Sequence, residues 1–151
     1  MTGSGIYALP GVGELRSLKT RFGATEVAVG SVEGWRVGSV SRHLPGHRYL
    51  PHQIPHRANL LVLKELGARA VLATTVVGAT DPALPLGRPV LFDDLYFPEN
   101  RLPGGEPCTV FVEPGEEGRG HLIAAEPFSP RLRRRAGLAA AELGFEPLYG
   151  G

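Results

Sequence analysis

The sequence has a single cysteine, Cys108, among 151 residues. An intramolecular disulfide is excluded, and a reducing, cytoplasmic compartment is the expectation. Long apolar runs are also lacking. None approaches the roughly 20 residues that cross a bilayer, and no apolar segment of signal-peptide length follows Met1, so no membrane association is expected. Charge of one sign is missing too. Sixteen Lys and Arg stand against fifteen Asp and Glu, a net charge of +1, which gives no electrostatic case for nucleic acid or an anionic surface. His43, His47, His52 and His56 cluster, but their spacing fits no zinc pattern and no thiolate accompanies them, so no metal is expected. Cys108 has no identifiable base beside it and is not read as a nucleophile. No internal repeat is visible. The 21 glycines and 14 prolines are spread along the chain and punctuate loops. The length suits one domain, residues 1–151, with a real core.

What is there centres on residues 40–80. Val40–Ser41 ends a β-rich run, followed by a basic loop with Arg42, His43 and His47. Residues 55–66 read as a helix: Pro55 suits its first position, Ala58, Leu61, Val62 and Leu66 recur at helical spacing, and Gly67 fits just past its end. Leu60 and Leu63 widen the apolar face. Residues 70–75 form a continuous apolar run, expected of a strand buried on both faces, and end at Thr74 and Thr75. The unit reads as strand, helix, parallel strand. Both loops fall where strands end, the place where open α/β sheets bind ligands. A guanidinium, an imidazole and hydroxyls in such loops suit an oxyanion such as phosphate.

Elsewhere, residues 6–9 read as a buried first strand running into Pro10-Gly11-Val12-Gly13, a glycine loop. Residues 20–23 read as a tight turn. Residues 26–31 and 35–41 read as a hairpin around Glu33-Gly34. Residues 89–97 read as a further strand, and 98–120 as irregular. Ser129-Pro130 opens a second helix with apolar residues Leu132, Ala136, Ala139, Ala140 and Leu143, closed by Gly144. Its arginines, Arg131 and Arg133–Arg135, read as a solvated face. Residues 145–148 read as the start of another strand. The fold class is α/β: a mixed, partly parallel sheet flanked by helices.

Several segments in order resemble the trimeric purine nucleoside phosphorylases, above all their 5′-methylthioadenosine phosphorylase branch. They are Ile-Tyr-Ala-Leu-Pro-Gly-Val-Gly (6–13), Thr-Arg-Phe-Gly (20–23), Ser-Arg-His (41–43) with His47 and Pro51, Arg-Ala-Asn (57–59), Thr-Thr-Val-Val-Gly (74–78), Gly87 through Asp93, and Ala-Glu-Pro-Phe-Ser-Pro-Arg (125–131). The resemblance implies the N-terminal part of the phosphorylase fold. It also implies phosphate binding by Arg42, His43, Thr75 and the amide of Val76, substrate lining by His47, and a glycine loop at Gly11, Val12 and Gly13. His121 is implied to line a neighbouring subunit's site in a trimer. Three positions depart from the family pattern. Val12 replaces a hydroxyl that contacts phosphate, Pro55-His56 an Asn-Tyr pair, and Arg88 an Asp. The family's Glu-Gly-Pro-Arg-Phe segment, Met-Thr pair and purine-binding aspartates do not occur in the sequence.

Two functions follow as expectations. One is a phosphorylase-like protein that cleaves the N-glycosidic bond of a purine nucleoside or methylthioadenosine, with inorganic phosphate as co-substrate and no other cofactor, completed by a partner chain or a neighbouring subunit. The other is an inactive relative that keeps a phosphate or nucleoside site and serves as a binding or assembly module. An unfinished sheet exposes an edge, so a homo-oligomer (a trimer or a multiple of one) or a partner chain is expected.

Overall fold

Alternating residues of one long strand set the architecture. The computed structural model describes residues 1–121 and 125–150. Strands β1 (Arg16–Thr20), β2 (Gly23–Val32) and β3 (Trp35–Ser39) form an antiparallel sheet in that order, joined by turns at 21–22 and 33–34. The tight turn and the hairpin expected from the sequence are both present; β1 is an additional strand. Glu33 and Gly34 take positive φ, 47° and 80°, as a two-residue hairpin turn requires.

Helix α1 (His56–Glu65) crosses one face of this sheet. Val27 of β2 and Val40 pack with Val62 and Leu63 of α1 in a buried cluster. The Thr25 hydroxyl donates to Asn59 Oδ1 inside this layer, so the one polar residue fully buried on α1 is satisfied. Pro55 is the cap of α1 and not its first turn, and Gly67, at φ 83°, ends it. Only one face of α1 is buried; Leu60 is 46% exposed.

Pairing around Met1–Thr2 is parallel. Thr2 N donates to Val40 O at 2.9 Å and Arg42 N to Thr2 O at 3.0 Å. On the other side the Met1 amino group donates to Leu72 O at 2.7 Å and Thr74 N to Met1 O at 3.0 Å. The first two residues therefore lie between 40–42 and 72–74. The expected unit of strand, helix and strand thus closes through Met1–Thr2 and not by direct pairing. Residues 70–75 are exposed, not buried on both faces, because described residues pair with one edge only. The predicted strand at 6–9 is a loop.

Contacts group the chain into two compact units, Met1–Val77 with Asn100–Glu113, and Gly78–Glu99 with Pro114–Gly151. In the second, the predicted strand at 89–97 shrinks to β4 (Val90–Leu91), which pairs in parallel with β5 (Leu148–Tyr149). Helix α2 (Pro130–Glu142) is capped by Ser129, whose hydroxyl accepts from Leu132 N. Its inner face is Ala136, Gly137 and Ala140; Leu132, Leu138 and Leu143 face solvent, which corrects the predicted stripe. A Cβ at Gly137 would run into the Tyr149 hydroxyl and approach Leu91 Cδ1 at 3.3 Å. Arg133 is drawn from the solvated face into an ion pair with Asp93 at 3.5 Å. No helix among the described residues is long and apolar enough to cross a membrane.

Residues 11–13 add an irregular edge to β2: Gly13 N donates to Val29 O and Ser31 N to Gly11 O. Gly30 makes this possible, since a Cβ there would clash with Gly11 O and stand 2.6 Å from Val12 Cα. Both contacts are to backbone, so Gly30→Ala must push the segment off the sheet. The expected cost is about 1–3 kcal/mol, read as a lower urea midpoint by circular dichroism; an unchanged midpoint would show that this close approach does not exist in solution.

Candidate functional site

Three backbone segments meet in the first unit: residues 1–5, 41–47 and 74–75. The pairing of Met1–Thr2 with both other segments brings them together. Gly3 follows directly, and a Cβ on it would meet Arg42 Nη2 at 2.7 Å, Thr74 O at 3.1 Å and Thr75 Cα at 3.3 Å. Glycine allows that approach with no shift of Arg42, Thr74 or Thr75. Ser4, exposed, and Gly5, at φ 88°, complete a short Gly-Ser-Gly loop.

Arg42 is held by two carbonyls. Nη2 donates to Thr74 O at 2.9 Å and Nε to Thr2 O at 3.4 Å. A guanidinium has five N–H donors, so three remain for a ligand. His43 is buried, 8% exposed. Its Nδ1 lies 2.8 Å from Tyr49 O. A carbonyl only accepts, so Nδ1 carries the proton and Nε2 is left as an acceptor in the neutral ring. The His47 ring stacks on His43 with centroids 4.2 Å apart and planes at 12°. The Tyr7 hydroxyl lies 3.5 Å from His47 Nδ1.

The loop carrying these rings is strained. Leu44 and His47 take φ 59° and 54°, the left-handed region that side chains other than glycine rarely adopt. Such residues cost on the order of 1–3 kcal/mol each and persist where the surroundings over-determine them. Leu44 is 2% exposed, so its side chain anchors the turn. Hydrogen bonds Leu44 N to Ser41 O, His47 N to Leu44 O and Tyr49 N to His43 O fix the rest.

Electrostatics at the site are cationic. Burial first, and then the Arg42 charge, hold the Met1 amino group below its ordinary pKa. Burial, Arg42 and His43 likewise lower the His56 imidazole, against a backbone hydrogen bond at Pro51 that raises it. An anion placed against Arg42 removes part of this repulsion.

The sequence-derived candidates divide accordingly. Arg42, His43, His47 and Thr75 are brought to one region. Val76 follows Thr75 and is 79% exposed. Gly11, Val12 and Gly13 are not at this site: they pair with Val29–Ser31 of β2, as Gly30 allows. The glycine loop beside Arg42 is Gly3-Ser4-Gly5. Sequence reasoning passed over it because it sought glycines after a full apolar strand, whereas only two paired residues precede this loop. His121 lies in the second unit and is exposed.

A model of one protein family, the phosphorylase superfamily, matches residues 1–151. The chain belongs to the phosphorylase superfamily. Among curated relatives of this phosphorylase-family chain, a probable 6-oxopurine nucleoside phosphorylase from Moorella thermoacetica is 35% identical over 153 residues, covering 99% of this chain and 56% of its own. An S-methyl-5′-thioadenosine phosphorylase from Thermococcus kodakarensis is 33% identical over 146 residues, covering 95% and 54%. Methylthioadenosine phosphorylase from Schistosoma mansoni, solved in complex with adenine, superposes with a TM-score of 0.76 at 26% identity, covering 94% of this chain and 52% of that one. The chain spans about half the length of the curated relatives it matches. The α/β fold with a mixed, partly parallel arrangement expected from the sequence is the fold of these structures over the matched half.

The lowered His56 pKa has a definite sign. Above its ordinary value of 6.5 the ring is neutral both folded and unfolded. Below it the unfolded chain takes up a proton that the folded chain resists, so stability is lost as the pH drops. Melting temperatures across the acid range will show this loss starting below 6.5, and His56→Gln will flatten that part of the profile. An identical profile for His56→Gln would remove the ring from the cationic group.

Proposed function

We propose that this chain supplies the phosphate-binding part of a purine nucleoside or 5′-methylthioadenosine phosphorylase. It takes part in phosphate-dependent cleavage of the N-glycosidic bond when a partner chain or neighbouring subunit completes the site. The observation that carries this reading is Arg42, fixed by two carbonyls with three donors left over, beside a glycine that lets backbone approach it. The names of the relatives supply the reaction class.

In this reading inorganic phosphate is the co-substrate. Arg42 binds it with charge-assisted hydrogen bonds. The Thr75 hydroxyl and the Val76 amide add neutral donors, and His43 lies beside Arg42 in the chain. Ser4 supplies the hydroxyl that Val12 lacks. His47 lines the sugar side, and His121 serves a neighbouring subunit's site. Phosphorolysis passes through an oxocarbenium-like sugar while the purine leaves with negative charge. Phosphate held beneath the sugar supplies positioning and charge stabilisation. The departing base needs a proton or hydrogen bonds, and those groups come from the completing chain. A cytoplasmic location fits a chain with one cysteine.

Arg42→Ala is expected to weaken phosphate binding by about 2 kcal/mol or more, the worth of a charge-assisted bond, in calorimetric titration. Unchanged binding would remove Arg42 from the site. The decisive assay is phosphate-dependent release of purine from methylthioadenosine, adenosine and inosine by the purified chain, with Arg42→Ala as control. Release that requires both phosphate and Arg42 establishes the activity. No release with phosphate still bound leaves a binding module. Residues 70–77, with Val71, Leu72, Val76 and Val77 between 45% and 79% exposed, form a hydrophobic edge that invites pairing. The chain is therefore expected to self-associate in sedimentation velocity, and a monomer at high concentration would count against completion across an interface.

A further inference from the structure

The face of the sheet opposite α1 carries a recess that adjoins the 41–47 loop through Tyr7, Ser41 and Pro45, and its chemistry differs from that of the proposed oxyanion site. Val27 and Val40 point into the core with α1. Side chains alternate along strands, so Ala28, Ser39 and Ser41 lie on the other face; Ala28 and Ser39 are direct cross-strand partners in the β2–β3 register. These three small residues floor a recess of about 200 Å³ walled by Leu9, Val12 and Leu15 from the segment folded over it. Ser41 is 3% exposed, and its Oγ has no hydrogen-bond partner among the described residues. A buried hydroxyl without a partner forfeits about 1–3 kcal/mol. Small floor residues create room, apolar walls favour a hydrophobic occupant, and the hydroxyl asks for one polar atom. No cationic side chain lines the recess, and its one carboxylate, Glu14, is exposed.

We propose that this recess is a binding site for a small, neutral ring that carries one hydrogen-bonding group, which the Ser41 hydroxyl recognises. Its volume is that of one small ring, a cavity of about 150 Å³ being enough for benzene, and its mouth is open to solvent at Gly13 and Pro45. Ser41 can donate or accept, so a phenolic hydroxyl, a ring carbonyl or a ring N–H each satisfies it. The recess differs from Arg42 in chemistry: no cationic side chain lines it, and phosphate has no matching donor set there.

Phenol and benzene are the probes, followed by amide shifts in a two-dimensional NMR titration of the full chain. Phenol is expected to give saturable shifts at Val12, Gly13, Ala28 and Ser41 in the millimolar range, and to bind more tightly than benzene. Ser41→Ala should weaken phenol at least about five-fold, the factor for one lost hydrogen bond, and leave benzene unchanged. The same variant should raise the melting temperature, because an unpaired buried hydroxyl is gone. Val12→Phe, which fills the recess from its wall, should abolish binding of both probes while the far-ultraviolet spectrum stays the same. Arg42→Ala should leave phenol binding intact. Absence of saturable shifts, or phenol binding indifferent to both Ser41→Ala and Val12→Phe, overturns the proposal. In particular, a higher melting temperature for Ser41→Ala without any phenol binding by the parent chain would mean that the recess holds water only.

Discussion

Everything at the proposed oxyanion site depends on Arg42 joining two carbonyls, Thr2 O and Thr74 O. The guanidinium is planar and rigid, so two anchors fix the direction of its remaining donors. The anchors themselves come from segments about seventy residues apart in sequence. Hydrogen bonds on both sides of Met1–Thr2 align those segments, and Gly3 leaves the space into which the guanidinium fits. Removing any one of these loosens the other two. The site is therefore a property of strand pairing as much as of the residues that point from it.

The neighbouring loop shows how the fold tolerates strain there. Leu44 and His47 hold unfavourable backbone angles, and the compensation is a buried leucine, three backbone hydrogen bonds and a pair of stacked imidazoles. With Nδ1 of His43 committed to Tyr49 O, the ring has one orientation and one free nitrogen. Several positive or titratable groups then stand close together, with no carboxylate among their hydrogen-bond partners in the described residues. In the proposed reading, a bound anion supplies the counter-charge such a group calls for.

The sheet solves two problems with its two faces. One face buries Val27 and Val40 under α1 and provides cohesion. The other is floored by small residues and lets the backbone of 11–13 run close over Gly30. The apolar segment 70–77 is a third situation. It is composed like a central strand, yet only one edge is paired and its side chains are largely exposed.

Local chemistry by itself determined several elements. The hairpin at Glu33-Gly34, the turn before β2, the extent of α1 with Gly67 behind it and the Ser129 cap of α2 follow from propensity, capping and turn residues, which act over a few positions. The order of short motifs was enough to indicate the family and the basic loop at Arg42-His43. Tertiary structure decided the rest. Among the described residues, 6–9 are apolar enough for a strand but find no strand to pair with, and 89–97 pairs only at Val90–Leu91, because ladder hydrogen bonds need a partner that no local pattern specifies. The glycine loop moved from 11–13 to 3–5 for the same reason. Which glycine lies against Arg42 depends on which backbones meet, and that is settled only when Met1–Thr2 enters between residues 40–42 and 72–74.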